Sequence, residues 1–382
     1  MKTICFVTTG DIKDIATAKR ALGLANPLLE LGWRVSIIME DTSENRHRVA
    51  LECDDSIQLH YFSGCGVWAE RKAKDRIIKE INPDYLYICA FVVRNIVGLT
   101  HSSKKLVEHS ELQSRIENVG YRKRVASYMV EYFSIIYSNA IFNASKYLQE
   151  LYLARGRRIC RTMICRTIPM LYFPYAYNPS IVNIVDVDYV DDKFKKFKGY
   201  KNFIFLGSVA KNYGVFTILE AVKSMVSTHK GFKVLILGKG RDYEEALQYI
   251  KDNRLEEYVS MEGYVDEEDI ASYFSMASSF ISPMNDTIQD WARCPSKLYM
   301  YLPYCKPIIS CRIGEPYQLL RGEGYYYDHG NSSQMALQIK RVIDEDGENS
   351  CVEQNRQNIY SLNHTWAKRA EEFDRWITQN RL

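Results

Sequence analysis

Short apolar runs alternate with stretches of helical periodicity along most of the chain, and this alternation narrows the choice of fold more than any other feature. Thr3–Thr8 reads as a buried strand, Ala16–Leu31 as a helix closed by Gly32, and Arg34–Met39 as a second strand. Strand Ile57–Phe62, helix Lys72–Ile81, strand Tyr85–Phe91 and strand Lys105–Val107 continue the series. Helix Val125–Ser138, strand Ala140–Phe142 and helix Ser145–Ala154, capped by Ser145, close it. Asn178–Tyr200 has no clear period and reads as a linker. From Asn202 the alternation restarts, with strands at Phe203–Leu206, Phe232–Leu237 and Val259–Met261 and helices at Val215–Ser227, Tyr243–Asn253 and Glu267–Ala277. Helix Gln334–Ile343 ends that second series, and Thr365–Ile377 is a last amphipathic helix. Consecutive βαβ units imply parallel, doubly wound sheets. A chain of 382 residues exceeds the size at which one core stops growing, so two domains are expected, 1–180 and 200–360.

Within the second series, Phe280–Ser310 holds the most specific chemistry. A short apolar run, Ser279-Phe280-Ile281, suits a buried strand ending at Ser282-Pro283, and a polar loop follows. Pro295 offers a fixed φ for the first turn of a helix, and Lys297 falls in that turn beside unpaired N–H groups. Lys306-Pro307 ends the helix and Ile308-Ile309-Ser310 begins another strand. In open α/β sheets ligands bind at the carboxyl ends of strands, and free N–H groups plus an ammonium suit a diphosphate.

Composition is that of a globular protein, with 46% hydrophobic and 25% charged residues, and a net charge of +3 gives no case for nucleic acid. The distribution is uneven. Residues 1–180 hold 25 Lys+Arg against 18 Asp+Glu, a balance of +7 that leaves −4 for the remainder. Arg122, Lys123, Arg124, Arg155, Arg157, Arg158, Arg161 and Arg166 supply the excess, a face suited to anionic lipid or a phosphorylated acceptor. Ten cysteines show no metal-binding spacing, and Cys5 and Cys89 lie in strand-like runs. The opening Met1–Val7 is too short for a signal-peptide core, and no run approaches a spanning helix, so a cytoplasmic location is expected.

The order of these features resembles the GT-B glycosyltransferases, most closely glycosyltransferase family 4 (glycosyl transferases group 1) and its divergent relatives. Leu31-Gly32-Trp33-Arg34-Val35, Asn82-Pro83-Asp84 and Ala140 through Leu148 are similar to first-domain segments of that family. Leu206-Gly207-Ser208, Leu237-Gly238-Lys239-Gly240 and Glu262-Gly263-Tyr264-Val265 resemble three donor-domain loops, and Pro295-Ser296-Lys297-Leu298 through Lys306-Pro307 resembles the donor-site helix. His364-Thr365-Trp366 resembles the start of a terminal helix, here within 364–382, that returns to the first domain.

The resemblance implies an α/β protein of two Rossmann-like domains facing a central cleft, an acceptor-binding domain and a nucleotide-sugar-binding one. It implies Lys297 at the donor diphosphate, with Ser296 and Met300 on the same helix, and Tyr264 and Val265 framing the base. Gly238 and Gly240 would let backbone approach the nucleotide closely. His109 would lie near the reacting sugar with Glu108 and Glu111 beside it, giving three candidate catalytic groups for the acceptor hydroxyl. Two features depart from the pattern. The paired glutamates of the family fall on Ala292 and Met300, so Asp286 or Asp290 would stand in for one of them. The basic residues of the first donor-domain loop fall on Ser208 and Tyr213, leaving Lys211 as the nearest cation.

The expected activity is a metal-independent hexosyl transfer from a UDP- or GDP-sugar to a saccharide or polyprenyl-diphosphate-linked acceptor, in capsule or O-antigen type surface polysaccharide synthesis. No cofactor beyond the donor is expected, and a peripheral contact with anionic membrane would run through the basic first domain. Asp186-Val187-Asp188 spells a metal-binding triplet but sits in the linker, and it is not assigned to a site. The missing glutamates equally suit a non-catalytic partner of another transferase, and the fold also suits a sugar-nucleotide epimerase.

Overall fold

The protein is described here from a computed structural model covering residues 1–12, 17–64, 66–117, 119–162, 168–179, 182, 184–186, 191–321, 324–345 and 362–382. Ala16, Arg166 and Asp188, which entered the readings above, lie outside the described residues, as does the side chain of Arg161.

Two units divide the chain. The first comprises Met1–Asn178, Ala292–Cys294 and His364–Leu382, the second Pro179–Trp291 and Pro295–Asn363.

In the first unit the elements are β1 (Thr3–Val7), α1 (Thr17–Glu30), β2 (Arg34–Glu40), α2 (Ser43–Glu52), β3 (Gln58–Phe62), α3 (Val67–Ile81), β4 (Tyr85–Ile88) and β5 (Lys104–His109). They continue with α4 (Tyr121–Tyr137), β6 (Ala140–Asn143), α5 (Lys146–Thr162) and β7 (Met170–Tyr172). All strand pairs are parallel, in the order β3-β2-β1-β4-β5-β6-β7. β1, β4 and β6 are almost wholly buried, which is why they read as continuous apolar runs and not as alternating ones.

The second unit repeats the plan with β8 (Lys201–Leu206), α6 (Val215–Met225), β9 (Phe232–Leu237), α7 (Tyr243–Asp252), β10 (Val259–Gly263), α8 (Glu267–Ser275) and β11 (Ala277–Ser282). After these come α9 (Ile288–Ala292), whose last residue counts with the first unit, α10 (Ser296–Tyr301), β12 (Ile308–Cys311), α11 (Gly314–Leu320), β13 (Tyr325–Tyr327) and α12 (Ser332–Asp344). The order β10-β9-β8-β11-β12-β13, again all parallel, reverses direction between β8 and β11. That reversal is the point at which doubly wound sheets leave a ligand crevice.

The last helix, α13 (Trp366–Gln379), packs within the first unit. Thr365 caps it by accepting from the Lys368 N–H, and Trp366, Ala370, Phe373 and Ile377 form its buried stripe. Phe373 sits against Trp33, Tyr87, Phe142 and Phe173, while Asp374 accepts from Trp33 Nε1 at 2.9 Å and pairs with Lys2 at 2.8 Å. Gly23 on α1 makes this fit: a Cβ there would fall 2.3 Å from the Trp366 ring.

Several elements differ from expectation. α2 is not anticipated, because of its ten residues only Asn45 and Val49 are buried and no apolar period marks it. β7 is three half-buried residues at the sheet edge, too short to register as a run. The donor-type helix is also shorter than read. Pro295 is not in the first turn but occupies the extended position before it (ψ 110°), and the helix gives way at Leu302 to a tighter turn ending at Cys305. Among the described residues no helix is long and apolar enough to cross a membrane.

Candidate functional site

The sequence-derived candidates fall into two groups, one in each unit. In the second unit, four loops leave the carboxyl ends of β8, β9, β10 and β11, and they are tied to one another. Gly207 N–H donates to the Leu237 carbonyl (2.9 Å), Val209 N–H to Lys239 (3.2 Å), and Gly238 N–H to Gly263 (2.6 Å). Asn285 Nδ2 donates to the Asn212 carbonyl at 2.6 Å, joining the loop after β11 to the loop after β8. The glycines are what admit this closeness. Gly238 has φ +135°, and a Cβ on it would lie 2.2 Å from the Gly207 carbonyl oxygen. A Cβ on Gly240 would lie 2.4 Å from the Val209 carbonyl and 2.6 Å from Ser208 Oγ. At both positions the close approach of one loop to another is enough to demand glycine.

Lys297, the second residue of α10, reaches this cluster. Its ammonium lies 4.2 Å from the centroid of the Phe205 ring on β8 and 3.6 Å from the point where a Gly207 Cβ would be. One half-buried cation is thus stationed at the end of β8, at the switch in strand order, beside the exposed Ser208. Ser296 and Met300 are partly exposed on the same helix. Tyr264 (70% exposed) and the partly buried Val265 follow β10.

Other candidates are committed elsewhere. The Lys211 ammonium pairs with Glu245 at 2.6 Å, and its backbone N–H donates to Asp242 at 2.7 Å. Asp290 is buried, its Oδ2 accepting from the Asn285 N–H at 2.6 Å, so this carboxylate shapes the loop after β11. Asp286 is exposed and accepts from Trp291 Nε1 at 2.7 Å. Of the two stand-ins for the missing glutamates, only Asp286 has an accessible carboxylate. Ala292 is buried in a cluster of the first unit with Leu112, Ile135 and Leu148.

In the first unit, β5 delivers Glu108 and His109 to opposite faces of its sheet, and both are buried. Glu108 pairs through Oε1 with Arg20 Nε of α1 at 2.8 Å, with both side chains shut off from solvent. Burial pushes the Glu108 carboxyl above its ordinary range, and Arg20 opposes that shift. Arg20 also donates to the Phe173 carbonyl at 2.9 Å and lies over the rings of Phe173, Tyr175 and Trp366. The proposed catalytic role does not suit this carboxylate: it is the centre of a buried junction between α1, β5 and α13.

His109 stacks on Tyr152 of α5, with centroids 4.0 Å apart, and Tyr152 O–H meets Nδ1 at 3.1 Å. Its Nε2 faces Ser134 Oγ at 2.9 Å, and that hydroxyl donates to the Glu131 carbonyl, so the ring carries its proton on Nε2 and is neutral. Burial, with the nearby Arg155, lowers its pKa to about 3. A ring with both nitrogens engaged holds α4 and α5 to β5 and is not placed to accept a proton from a substrate.

This has a measurable consequence. The unfolded ring titrates near 6.5, so between about pH 6.5 and pH 3 the unfolded chain binds one more proton than the folded chain. Stability owed to the neutral ring is complete above that window and is lost as pH falls, by up to about 1.4 kcal/mol per pH unit. Urea unfolding at stepped pH, wild type against His109→Phe, is expected to give a shallower acid slope for the variant; parallel slopes would show that the ring is not held neutral.

Glu111 is the remaining candidate and the most accessible of the three. It lies in the loop after β5, partly exposed, with Oε1 accepting from Gln113 Nε2 at 2.7 Å. Burial raises its pKa, while the Gln113 bond and the charge of Arg293 pull it down. Glu131 of α4 fixes that loop by accepting from Ser114 N–H (2.8 Å), Ser114 Oγ (3.0 Å) and Arg155 (3.0 Å). A positioned carboxylate with a lifted pKa is suited to general-base work. Arg20, Glu131 and Arg155, the groups that set this end of the sheet, were not singled out as a set by sequence. Their partners are brought together only by the fold.

Residues 200–345 match the family model described as glycosyl transferases group 1. No curated protein matches the sequence. Among solved structures, Anabaena Alr3699/HepE in complex with UDP and glucose is similar at TM-score 0.79 and 12% identity, over 99% of this chain and 100% of that one. Sucrose-phosphate synthase from Thermosynechococcus elongatus is similar at TM-score 0.75 and 14% identity, over 99% of each chain. The lipopolysaccharide outer core galactosyltransferase WaaB, in its apo form, is similar at TM-score 0.67 and 12% identity, over 99% of each chain. At these identities the likeness establishes the fold alone.

Proposed function

We infer that this chain, which has the GT-B fold and whose residues 200–345 belong to the glycosyl transferases group 1, transfers a hexose from a UDP- or GDP-sugar to an acceptor. The observation that carries the reading is Lys297, held over Phe205 at the strand-order switch of the second unit, beside backbone that glycine keeps free of side chains. In glycosyl transfer the leaving group is a nucleoside diphosphate, and charge accumulates on its oxygens as the glycosidic bond breaks. A fixed ammonium stabilises that charge without a metal ion or a further cofactor. Ser208, Ser296 and Met300 line the donor, Tyr264 and Val265 flank its base, and the exposed Asp286 stands in for the missing glutamate that is not the ribose ligand. In the first unit Glu111 receives the acceptor proton, with Glu131 holding its loop in place through Ser114.

The acceptor class we propose is a saccharide or a polyprenyl-diphosphate-linked sugar used in surface polysaccharide synthesis. Titration of the protein with UDP, GDP and their hexose conjugates, followed by assay of nucleotide release with and without a polyprenyl-linked acceptor, tests this. Saturable binding of one nucleotide and acceptor-stimulated release of it are expected. Failure of every nucleotide to bind the folded protein would end the reading. The non-acidic residues Ala292 and Met300 favour one alternative, a partner subunit of another transferase, which would bind nucleotide without turning it over.

A further inference from the structure

Helix α4 carries an apolar face that nothing in its own unit covers. Tyr121, Val125, Tyr128, Met129, Phe133 and Ile136 are all exposed, Tyr121 by 81%, Met129 by 64% and Ile136 by 54%. Their spacing places them on one arc of roughly 140° along the 17-residue helix, while Glu131, Ser134 and Ile135 form the opposite, buried face. The helix is therefore amphipathic with its apolar side outward, the reverse of what a core-facing helix shows. The only carboxylate on it, Glu131, is buried and occupied by Arg155 and Ser114. Three cations, Arg122, Lys123 and Arg124, stand exposed in its first turn. α5, which packs against α4 through Arg155 over Tyr128 and Tyr132, adds exposed Leu153, Arg157 and Arg158. Its exposed carboxylate, Glu150, lies one turn before Leu153 and two turns before Arg157, at the edge of this surface.

We propose that α4, with the adjoining turn of α5, is a membrane-docking surface whose occupant is an anionic lipid bilayer. The charge pattern favours lipid over a protein partner: cations flank a stripe of aromatic and aliphatic side chains, and α4 itself carries no exposed carboxylate. Tyrosines, methionine and isoleucine enter the headgroup boundary while lysine and arginine contact acidic headgroups. Arg155 is neutralised by Glu131, so it stiffens the platform without adding to the attraction. The inference stands apart from the reading of the second unit, because lipid binding needs no nucleotide.

The test is sedimentation of the full chain with vesicles of phosphatidylcholine alone and of phosphatidylcholine with 30% phosphatidylglycerol, at low and at physiological salt. Nucleotide titration without vesicles, run in parallel, keeps a failure here distinct from a failure of donor binding. Binding to the phosphatidylglycerol vesicles, weakened by salt, is expected. Met129→Glu/Ile136→Glu, at exposed positions that leave the fold intact by thermal unfolding, is expected to lower it at least tenfold. Arg122→Gln/Lys123→Gln/Arg124→Gln is expected to remove most of the salt dependence. Absence of binding by the folded wild type would overturn the proposal, as would undiminished binding by the glutamate variant. So would a lipid-free dimer that the glutamate variant dissociates, since a second copy of the chain would then be the occupant.

Discussion

Lys297→Ala is expected to weaken binding of the cognate nucleoside diphosphate by roughly 10- to 150-fold, the effect of removing a charged hydrogen-bond donor worth about 1.5–3 kcal/mol. The rate of transfer should fall further than the affinity. The negative charge on the diphosphate grows as the glycosidic bond breaks, so an ammonium aimed there stabilises the transition state more than the bound donor. Lys297 also lies on the Phe205 ring, and truncation removes that packing along with the charge. Lys297→Met separates the two, since it keeps the apolar stem and loses only the ammonium. Both variants should lose nucleotide affinity to a similar degree while Lys297→Met stays close to wild type in thermal stability. If Lys297→Met bound nucleotide as tightly as wild type, the ammonium would have no place at the diphosphate.

Lys297 stands out in the sequence because its signal is local. A buried strand, a polar loop, Pro295-Ser296-Lys297 and then Lys306-Pro307 stand close together in sequence, and each constrains its neighbour's conformation. The alternation behind the two parallel sheets was legible for the same reason: strands buried on both faces carry unbroken apolar runs, as Phe203–Phe205 and Val234–Leu237 do. Glu108, His109 and Glu111 are close in sequence, but strand geometry sends the first two to opposite faces of the sheet and leaves only Glu111 in the loop beyond. Successive residues of β5 face opposite sides of the sheet, so Glu108 meets Arg20 of α1 while His109 meets Ser134 and Tyr152 of α4 and α5. Strand periodicity turns two adjacent residues at the end of a doubly covered strand to opposite faces of its sheet. Nothing local named their partners. The loop-to-loop fit at Gly238 and Gly240 was hidden for the same reason, since the atoms that demand glycine belong to a loop one strand away. α2 went unseen because a helix that buries only Asn45 and Val49 leaves no periodic trace.

The junction around Arg20 gives the largest expected change in stability. Arg20 and Glu108 are both closed to solvent and 2.8 Å apart, so removing one partner strands the other charge in a low-dielectric interior. Arg20→Met is expected to destabilise the protein by about 3–5 kcal/mol, measured by urea unfolding at neutral pH. The stranded carboxylate then prefers its proton more strongly than before, and its raised pKa in the folded state sets the sign of the pH response. Between the unfolded and folded pKa values of Glu108 the folded variant binds more protons than the unfolded chain, so lowering the pH should narrow its deficit relative to wild type. Arg20→Met/Glu108→Leu removes both charges and should recover most of the loss, because the desolvation cost disappears with the ions. A deficit below about 1 kcal/mol for Arg20→Met would mean that the pair is not closed to water. The same variants bear on function, because Arg20 also lies over Trp366 of α13 and so joins the start of that helix to the end of β5, where the Glu111 loop begins. A double variant with restored stability but reduced turnover at unchanged nucleotide affinity would show that the junction positions the Glu111 loop as well as stabilising the unit.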